Sequence, residues 1–266
     1  MDLNLEKEFL GKRIIITGAS RGLGAIACEA LSKRGAKIAM LSRSKKDLDN
    51  LKKRLKNPSN HISVKVDLLE NSSIKLAIKK AKKFLKNIDI VLHIAGGGFG
   101  LKEKLIQNRD LNTLLQINLG AVAEINRLVV SSKYKKNFLR LVHVGSIASY
   151  EAVGSVGYNV AKSALAAYVR SLGRELYKNK VIVTGILPGA FIAPGNAMER
   201  LRKKNIKDYK KFIKNRLPRS LMGSANEVLP MLLFLCSKHS SMMGGCLVPI
   251  DAGEGKVTKF NNLLIY

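Results

Sequence analysis

RIIITGASRGLGAIACEALSKRG, residues 13–35, decides the fold. Its first six residues form an apolar run with little alternation, the pattern of a strand buried on both faces. Gly18, Gly22 and Gly24 follow at G-x-x-x-G-x-G spacing, and a helical pattern then runs from Gly22 to a terminating glycine at Gly35. Strand, glycine-rich turn and helix in immediate succession make half of a βαβ unit. Glycines at that turn permit a tight bend and let a pyrophosphate reach the free N–H groups and positive dipole end of the helix.

The alternation continues outward. KIAML (37–41), HISVKVD (61–67), IDIVLHIAG (88–96), FLRLVHVGS (138–146), KVIVTGILPG (180–189) and CLVPID (246–251) read as strands. Helices are expected over 45–56, 73–86, 111–131, 156–177 and 225–236. No repeat, low-complexity segment or linker divides the series. The expectation is therefore an α/β protein of one domain, residues 1–266. It is a doubly wound parallel sheet of about seven strands with helices on both faces and right-handed crossovers.

Composition narrows the class. Of 266 residues, 46% are hydrophobic, which supports a packed core rather than disorder. The opening MDLNLEKEFLGK lacks the apolar core of a secretory signal, and the longest strongly apolar run, VLPMLLFLC, is about half the length of a membrane span. Cys28, Cys236 and Cys246 are unpatterned, which points to a reducing cytoplasm and no disulfide framework. Lys plus Arg number 47 against 19 Asp plus Glu, a net charge of +28. The basic residues are scattered, as in KKRLK (52–56), KKAKK (79–83), KYKK (133–136) and RLRKK (200–204). They read as solvated helix faces, and no nucleic-acid recognition motif accompanies them. His61, His93, His143 and His239 lack metal-ligand spacing, so no metal is expected.

The end of the second strand carries the cofactor preference. A site for NAD usually places a carboxylate there for the ribose 2′-hydroxyl, whereas this chain has Ser42-Arg43, with Arg21 in the glycine loop. Two guanidinium groups and no carboxylate suit a 2′-phosphate, so NADP(H) is preferred and NAD(H) is the alternative. Asp67, followed by Leu68, is placed either to reach an adenine or to cap a turn.

GSIASYEAVGSVGYNVAK, residues 145–162, supplies the chemistry. Tyr158 and Lys162 are four apart, on one face of a helix. A phenol titrates near 10, and a neighbouring ammonium favours its ionised form, so the pair suits acid–base work at a carbonyl or alcohol carbon. Tyr150 has no lysine four residues on and is expected as a wall of the cleft, and Ser155 is expected at the helix start.

Taken in order, TGASRGLG (17–24), VDL (66–68), IAG (94–96), IN (117–118), GSIAS (145–149), YNVAK (158–162) and LPG (187–189) resemble the motif series of the short-chain dehydrogenase/reductase family. The resemblance runs over residues 9 to 253 and favours the 3-oxoacyl-carrier-protein-reductase-like branch. It implies a Rossmann-like fold and a site in which Tyr158 is the acid/base and Lys162 binds the nicotinamide ribose and lowers the tyrosine's pKa. Ser146 would bond the substrate oxygen, with Ser149 as the alternative, and Asn118 would hold a water of a proton relay. The implied cofactor contacts are Gly18, Ser20, Arg21, Gly22, Leu23, Gly24, Ser42, Arg43, Asp67, Leu68, Ala95, Gly96, Tyr158, Lys162, Pro188 and Gly189. A homo-oligomer, dimer or tetramer, is also implied.

Three positions depart from the family pattern. His93-Ile94-Ala95-Gly96 replaces Asn-Asn-Ala-Gly, Ala193 stands near the usual threonine, and Asp251-Ala252-Gly253 replaces Asp-Gly-Gly. His93 is expected as a satisfied core residue rather than a catalyst. The substrate loop, residues 190–222, contains ten Lys/Arg and a helical lid pattern. The expected substrate is a small carbonyl or secondary alcohol, with an anionic or carrier-bound acyl thioester as one form. A sugar or nucleotide-sugar substrate is the alternative within the same chemistry. A catalytically weak NADP-binding regulatory or scaffold protein is the alternative outside it.

Overall fold

The apolar run that opens at residue 13 forms an interior strand, third in the order of a seven-stranded sheet, in the computed structural model, which describes residues 7–130 and 138–256. In chain order the elements are β1 (Arg13–Thr17), α1 (Gly22–Lys33), β2 (Lys37–Ser42), α2 (Lys45–Arg54), β3 (His61–Lys65), α3 (Asn71–Leu85) and β4 (Ile90–His93). Then come α4 (Asn108–Leu115), α5 (Ala121–Val130), β5 (Leu139–Val144), α6 (Val156–Leu176) and β6 (Val181–Pro188). The chain continues with β7 (Phe191–Ile192), α7 (Ala197–Lys204), α8 (Ile206–Arg216), β8 (Gly223–Ser224), α9 (Ala225–Cys236) and β9 (Leu247–Ile250).

The sheet order is β3-β2-β1-β4-β5-β6-β9, and every pairing is parallel. The chain builds outward from β1 to β3, then returns across the sheet to place β4 on the other side of β1. That reversal opens a crevice beyond the carboxyl ends of β1 and β4, where α/β sheets bind ligands.

Alternation within each strand feeds two cores. Ile14 and Ile16 face the layer of α1, α2 and α9 with Leu31, Leu48 and Leu232. Ile15 faces the layer of α3, α5 and α6 with Ile78, Ile125 and Val169. Each such fully buried aliphatic side chain contributes about 1.5–3 kcal/mol of hydrophobic transfer free energy. Burial on both sides explains why these strands read as continuous apolar runs rather than as alternating ones.

Several boundaries differ from expectation by a few residues, and two of the differences bear on the site. The helix expected over 111–131 begins earlier, at Asn108, and is broken by a π-type turn at Gln116–Gly120 between α4 and α5; residue 131 and the KYKK run lie outside the described residues. Hydrophobic periodicity cannot register such a turn, because one extra residue shifts the apolar face without removing it. The third strand stops at Lys65 rather than Asp67. Asp67 Oδ1 accepts a 3.0 Å hydrogen bond from Leu69 N, turning the chain toward α3.

Candidate active site

The crevice begins with the glycine loop. Gly18 has φ of +68°, and a Cβ there would lie 2.8 Å from Ala95 N, so any side chain would force β1 and the turn after β4 apart. Thr17, directly before it, is buried, and its Oγ1 accepts hydrogen bonds from Ile94 N at 3.2 Å and Ala95 N at 3.3 Å. Sequence reasoning absorbed Thr17 into a motif without giving it this role. It ties the two turns together where the family's asparagine is missing. At the mouth of α1, Arg21 is the N-cap and its side chain makes no capping bond; the first turn holds no acidic residue. The helix therefore presents free N–H groups to an anion.

Gly96 lies between the two candidate polar residues of the relay. A Cβ on it would come within 2.7 Å of Asn118 Oδ1 and 3.3 Å of Lys162 Nζ. The π-type turn aims Asn118 inward, where it is fully buried. Its Oδ1 accepts from Gly97 N at 3.0 Å, and its Nδ2 donates to Gly97 O at 3.1 Å and Leu114 O at 2.9 Å. Asn118 thus fixes the loop after β4 as well as bordering Lys162, and Gly97 is a contact that no motif reading supplied.

Lys162 is buried, and its Nζ donates a 3.0 Å hydrogen bond to Val144 O at the end of β5. Burial pushes its pKa down to about 8, because the ammonium has been taken out of water without a carboxylate partner. The ammonium lies 5.8 Å from the centroid of the Tyr158 ring. Burial pushes the Tyr158 phenol up, and its hydrogen bond with Ser146 opposes that. At neutral pH the arrangement is a protonated phenol backed by a cation one helical turn away. Ser146 also caps the turn Ile147–Ser149, accepting from Ala148 N at 3.1 Å.

The choice between serines has a geometric answer. Ser149 Oγ donates to Lys162 O at 3.0 Å and Ser149 O accepts from Ser163 Oγ at 2.8 Å, so this residue braces α6 rather than facing the cleft. Ser155 is the N-cap position of α6, as expected. Tyr150 is exposed and packs along α6. Its hydroxyl accepts a 2.9 Å bond from Arg170 Nη1, and that guanidinium lies 5.7 Å from its ring centroid on the surface.

At the other end of the crevice, Arg43 follows β2 and Arg21 opens α1. Neither makes an ion pair among the described residues. The Arg43 guanidinium stacks 5.9 Å from the Phe99 ring, and Arg21 Cδ would lie 3.0 Å from a Cβ at Gly195. Ser42 Oγ donates to Ser44 O at 3.3 Å. Asp67, at the surface, spends one carboxylate oxygen on the turn already described, and Leu68 O accepts from Gln116 Nε2 at 3.1 Å. Pro188 ends β6 and Gly189 N donates to Ile250 O at 3.1 Å, so these residues close the far wall. Ala193 is buried in the apolar core and brings no hydroxyl.

A dinucleotide fits this donor set: close backbone approach at Gly18 and Gly96, an uncapped helix N-terminus, and two guanidiniums without carboxylates. Ser20, Gly22, Leu23 and Gly24 lie on the same loop and first turn.

His93 is a core residue, as expected, but not a fully satisfied one, since its buried Nδ1 has no hydrogen-bond partner among the described residues. Its ring stacks on His143 at 4.8 Å between centroids, and its Nε2 lies 2.8 Å from Asn126 Oδ1. Asn126 Nδ2 reaches His143 Nε2 at 3.3 Å and donates to Tyr168 Oη at 3.2 Å; His143 Nδ1 lies 2.9 Å from Thr184 O. Burial holds both imidazoles neutral, pushing His143 down to about 4 and His93 well below its usual value. Among the described residues no group of His, Cys, Asp and Glu has the arrangement of a metal site, and no helix is long and apolar enough to cross a membrane.

Comparison with known proteins converges on one family. The model of the short chain dehydrogenase family matches residues 12–204. The chain is 28% identical over 243 residues to the 3-oxoacyl-[acyl-carrier-protein] reductase of Buchnera aphidicola subsp. Schizaphis graminum, covering 91% of this chain and 96% of the relative. It is 25% identical over 257 residues to the reductase of the same name from Aquifex aeolicus, covering 94% and 99%. Among solved structures, the L-sorbose reductase of Gluconobacter frateurii, complexed with NADPH and L-sorbose, superposes with a TM-score of 0.86 at 23% identity over 94% of this chain and 99% of that one.

Proposed function

The chain belongs to the short chain dehydrogenase family and is an NAD(P)-dependent oxidoreductase, and from that premise we propose that it reduces a carbonyl to a secondary alcohol with NADP(H). The observation that carries the reading is the buried Lys162 ammonium, with no carboxylate partner among the described residues, 5.8 Å from the centroid of the Tyr158 ring.

When bound, the nicotinamide supplies or accepts the hydride. The residues of this chain do the rest. Ser146 and Tyr158 hydrogen-bond the substrate oxygen, and Tyr158 gives it a proton as negative charge develops there. The Lys162 ammonium stabilises the phenolate that this leaves behind. Asn118 positions the Gly96–Gly97 backbone and, with Lys162, borders the route by which Tyr158 is reprotonated. Gly18 and the N-terminus of α1 receive the pyrophosphate. Arg21 and Arg43, with no competing carboxylates, take the 2′-phosphate.

The substrate class follows from two supports: the printed activity of relatives matched along almost their whole length, and ten Lys/Arg in residues 190–222 bordering the cleft. Both favour an acyl thioester on an anionic carrier. The chain is also read as a homo-oligomer, supported by Val156 and Val160, exposed on α6; light scattering that returns a monomer at assay salt removes that part.

The test uses acetoacetyl-CoA as the probe and follows NADPH consumption. Tyr158→Phe is expected to lower turnover by about 10²–10⁴-fold, the contribution of a positioned general acid, while NADPH binding stays within about twofold. Undiminished turnover in Tyr158→Phe refutes the assignment of the acid.

A further inference from the structure

Glu254 lies after β9, outside every motif of the sequence, yet its side chain is only 3% exposed. Its Oε1 is 3.1 Å from Nε of Arg216, the last residue of α8. Its Oε2 accepts a 2.6 Å hydrogen bond from Ala190 N and would lie 2.7 Å from a Cβ at Gly189. Arg216 in turn donates from Nη1 to Val153 O at 3.2 Å, in the loop that precedes Tyr158. The carboxylate and guanidinium thus join four segments: the end of α8, the turn after Pro188, the loop before α6 and the residues after β9. The last of these is itself anchored, since Asp251 accepts from Gly253 N at 3.0 Å and Gly255 N at 2.8 Å, and Glu151 Oε1 accepts from Lys256 N at 2.6 Å.

The rest of the segment from α7 to α8 is held lightly. It packs on a third, small cluster of Tyr209, Leu217 and Met222, separate from the two cores of the sheet. No residue of α7 is buried, and Tyr209 is the buried residue of α8. Left-handed backbone flanks the segment on both sides, at Gly195 (φ +74°) and Ser220 (φ +51°). Few buried contacts and a turn at each end characterise a unit that opens on its own, with its hinges at the ends.

We propose that Glu254 is a positioning residue and that its ion pair with Arg216 is the latch that holds a hinged lid, residues 196–219, closed over the cleft. Just before its first hinge the chain meets the glycine loop, where a Cβ at Gly22 would lie 3.4 Å from Pro194 O. At the lid's end Arg216 reaches the Tyr158 side. The lid is therefore strung from a hinge beside the glycine loop to a latch on the Tyr158 side. Because the same carboxylate holds Ala190 N, releasing the latch also loosens the turn beside Pro188 and Gly189. That the cleft beneath is the reaction site rests on the reading above; the latch rests on the contacts alone.

Trypsin reads the lid directly, because eight Lys/Arg lie between residues 200 and 214. Glu254→Gln keeps an acceptor for Ala190 N and removes the charge that Arg216 faces. In the native full-length chain, cleavage within 200–216 is expected to accelerate by about tenfold or more, since an uncompensated partner disfavours the closed state. The circular dichroism of the variant stays native. Arg216→Met should reproduce the acceleration, and Arg216→Lys, which keeps the cation, should restore most of the protection. A folded Glu254→Gln cleaved at the wild-type rate overturns the latch. Should Glu254→Gln not fold, Arg216→Met decides the matter, and a wild-type cleavage rate there overturns it equally. NADPH binding, followed by its fluorescence, separates the two readings. Failure to bind refutes the oxidoreductase assignment and leaves the latch, whereas unchanged lid cleavage refutes the latch and leaves the assignment.

Discussion

Lys162 holds its charge at a cost to the fold, and that cost is measurable. Burial brings its pKa from 10.5 to about 8. Between those values the unfolded chain binds the proton and the folded chain does not, so stability rises with pH across the window. Below about pH 8 the whole penalty is present, roughly 3 kcal/mol at about 1.36 kcal/mol per pH unit. Lys162→Met removes the titration while keeping an unbranched side chain of similar volume. It also removes the 3.0 Å bond to Val144 O, so the net stability change at pH 7 is the difference between two opposing quantities. The pH dependence is free of that ambiguity. The stability of wild type minus that of Lys162→Met should be flat up to about pH 8 and rise by about 2 kcal/mol by pH 9.5. Urea unfolding followed by circular dichroism suits a chain with no tryptophan. A difference that stays constant from pH 7 to 9.5 would mean that the ammonium is solvated, and the electrostatic account of Tyr158 would fall with it.

Two further perturbations probe the crevice and its support. Gly96→Ala places a Cβ 2.7 Å from Asn118 Oδ1 and 3.3 Å from Lys162 Nζ, and should cost about 1–3 kcal/mol of stability and at least about tenfold in NADPH affinity; wild-type affinity by fluorescence titration would refute the close approach. His143 and His93 are held neutral with depressed pKa values, so their stabilisation is complete above about pH 6.5 and is lost as pH falls toward 4. With His143 at about 4, its share of the loss at pH 5 is about 2 kcal/mol, and His143→Gln should shrink the wild-type difference between pH 7 and pH 5 by that amount; an unchanged slope sinks the idea.

The site works by enforced desolvation. The sheet carries Val144 O and the turn after β4 to the crevice, α6 brings Tyr158 and Lys162 on one face, and the π-type turn brings Asn118 to meet them. None of these elements holds a carboxylate against Lys162, which leaves its ammonium available to the phenol.

The sequence by itself determined the fold class, the order of the elements and the identity of the candidate site residues. Fold class and element order depend on short-range regularities, as do the glycine loop and the Tyr158–Lys162 pair; Ser146 and Asn118 entered through the resemblance of the ordered motifs to a known family. What only the tertiary structure decided depends on contacts between residues distant in the chain. Ser149 is turned to brace Lys162 O, whereas Ser146, with a similar local pattern, caps the turn that follows it. Tyr150 is drawn to Arg170, twenty residues on. Asn118 reaches Gly97 because of an extra residue in a helical turn, which periodicity cannot record. Thr17 takes over the tie between the turns after β1 and β4, and Glu254 meets Arg216 across the lid. A hydroxyl, an amide or a carboxylate has no preferred partner until the fold removes water from around it. Burial then makes a protein partner obligatory, and which partner is in reach is a property of the assembled layers rather than of any segment.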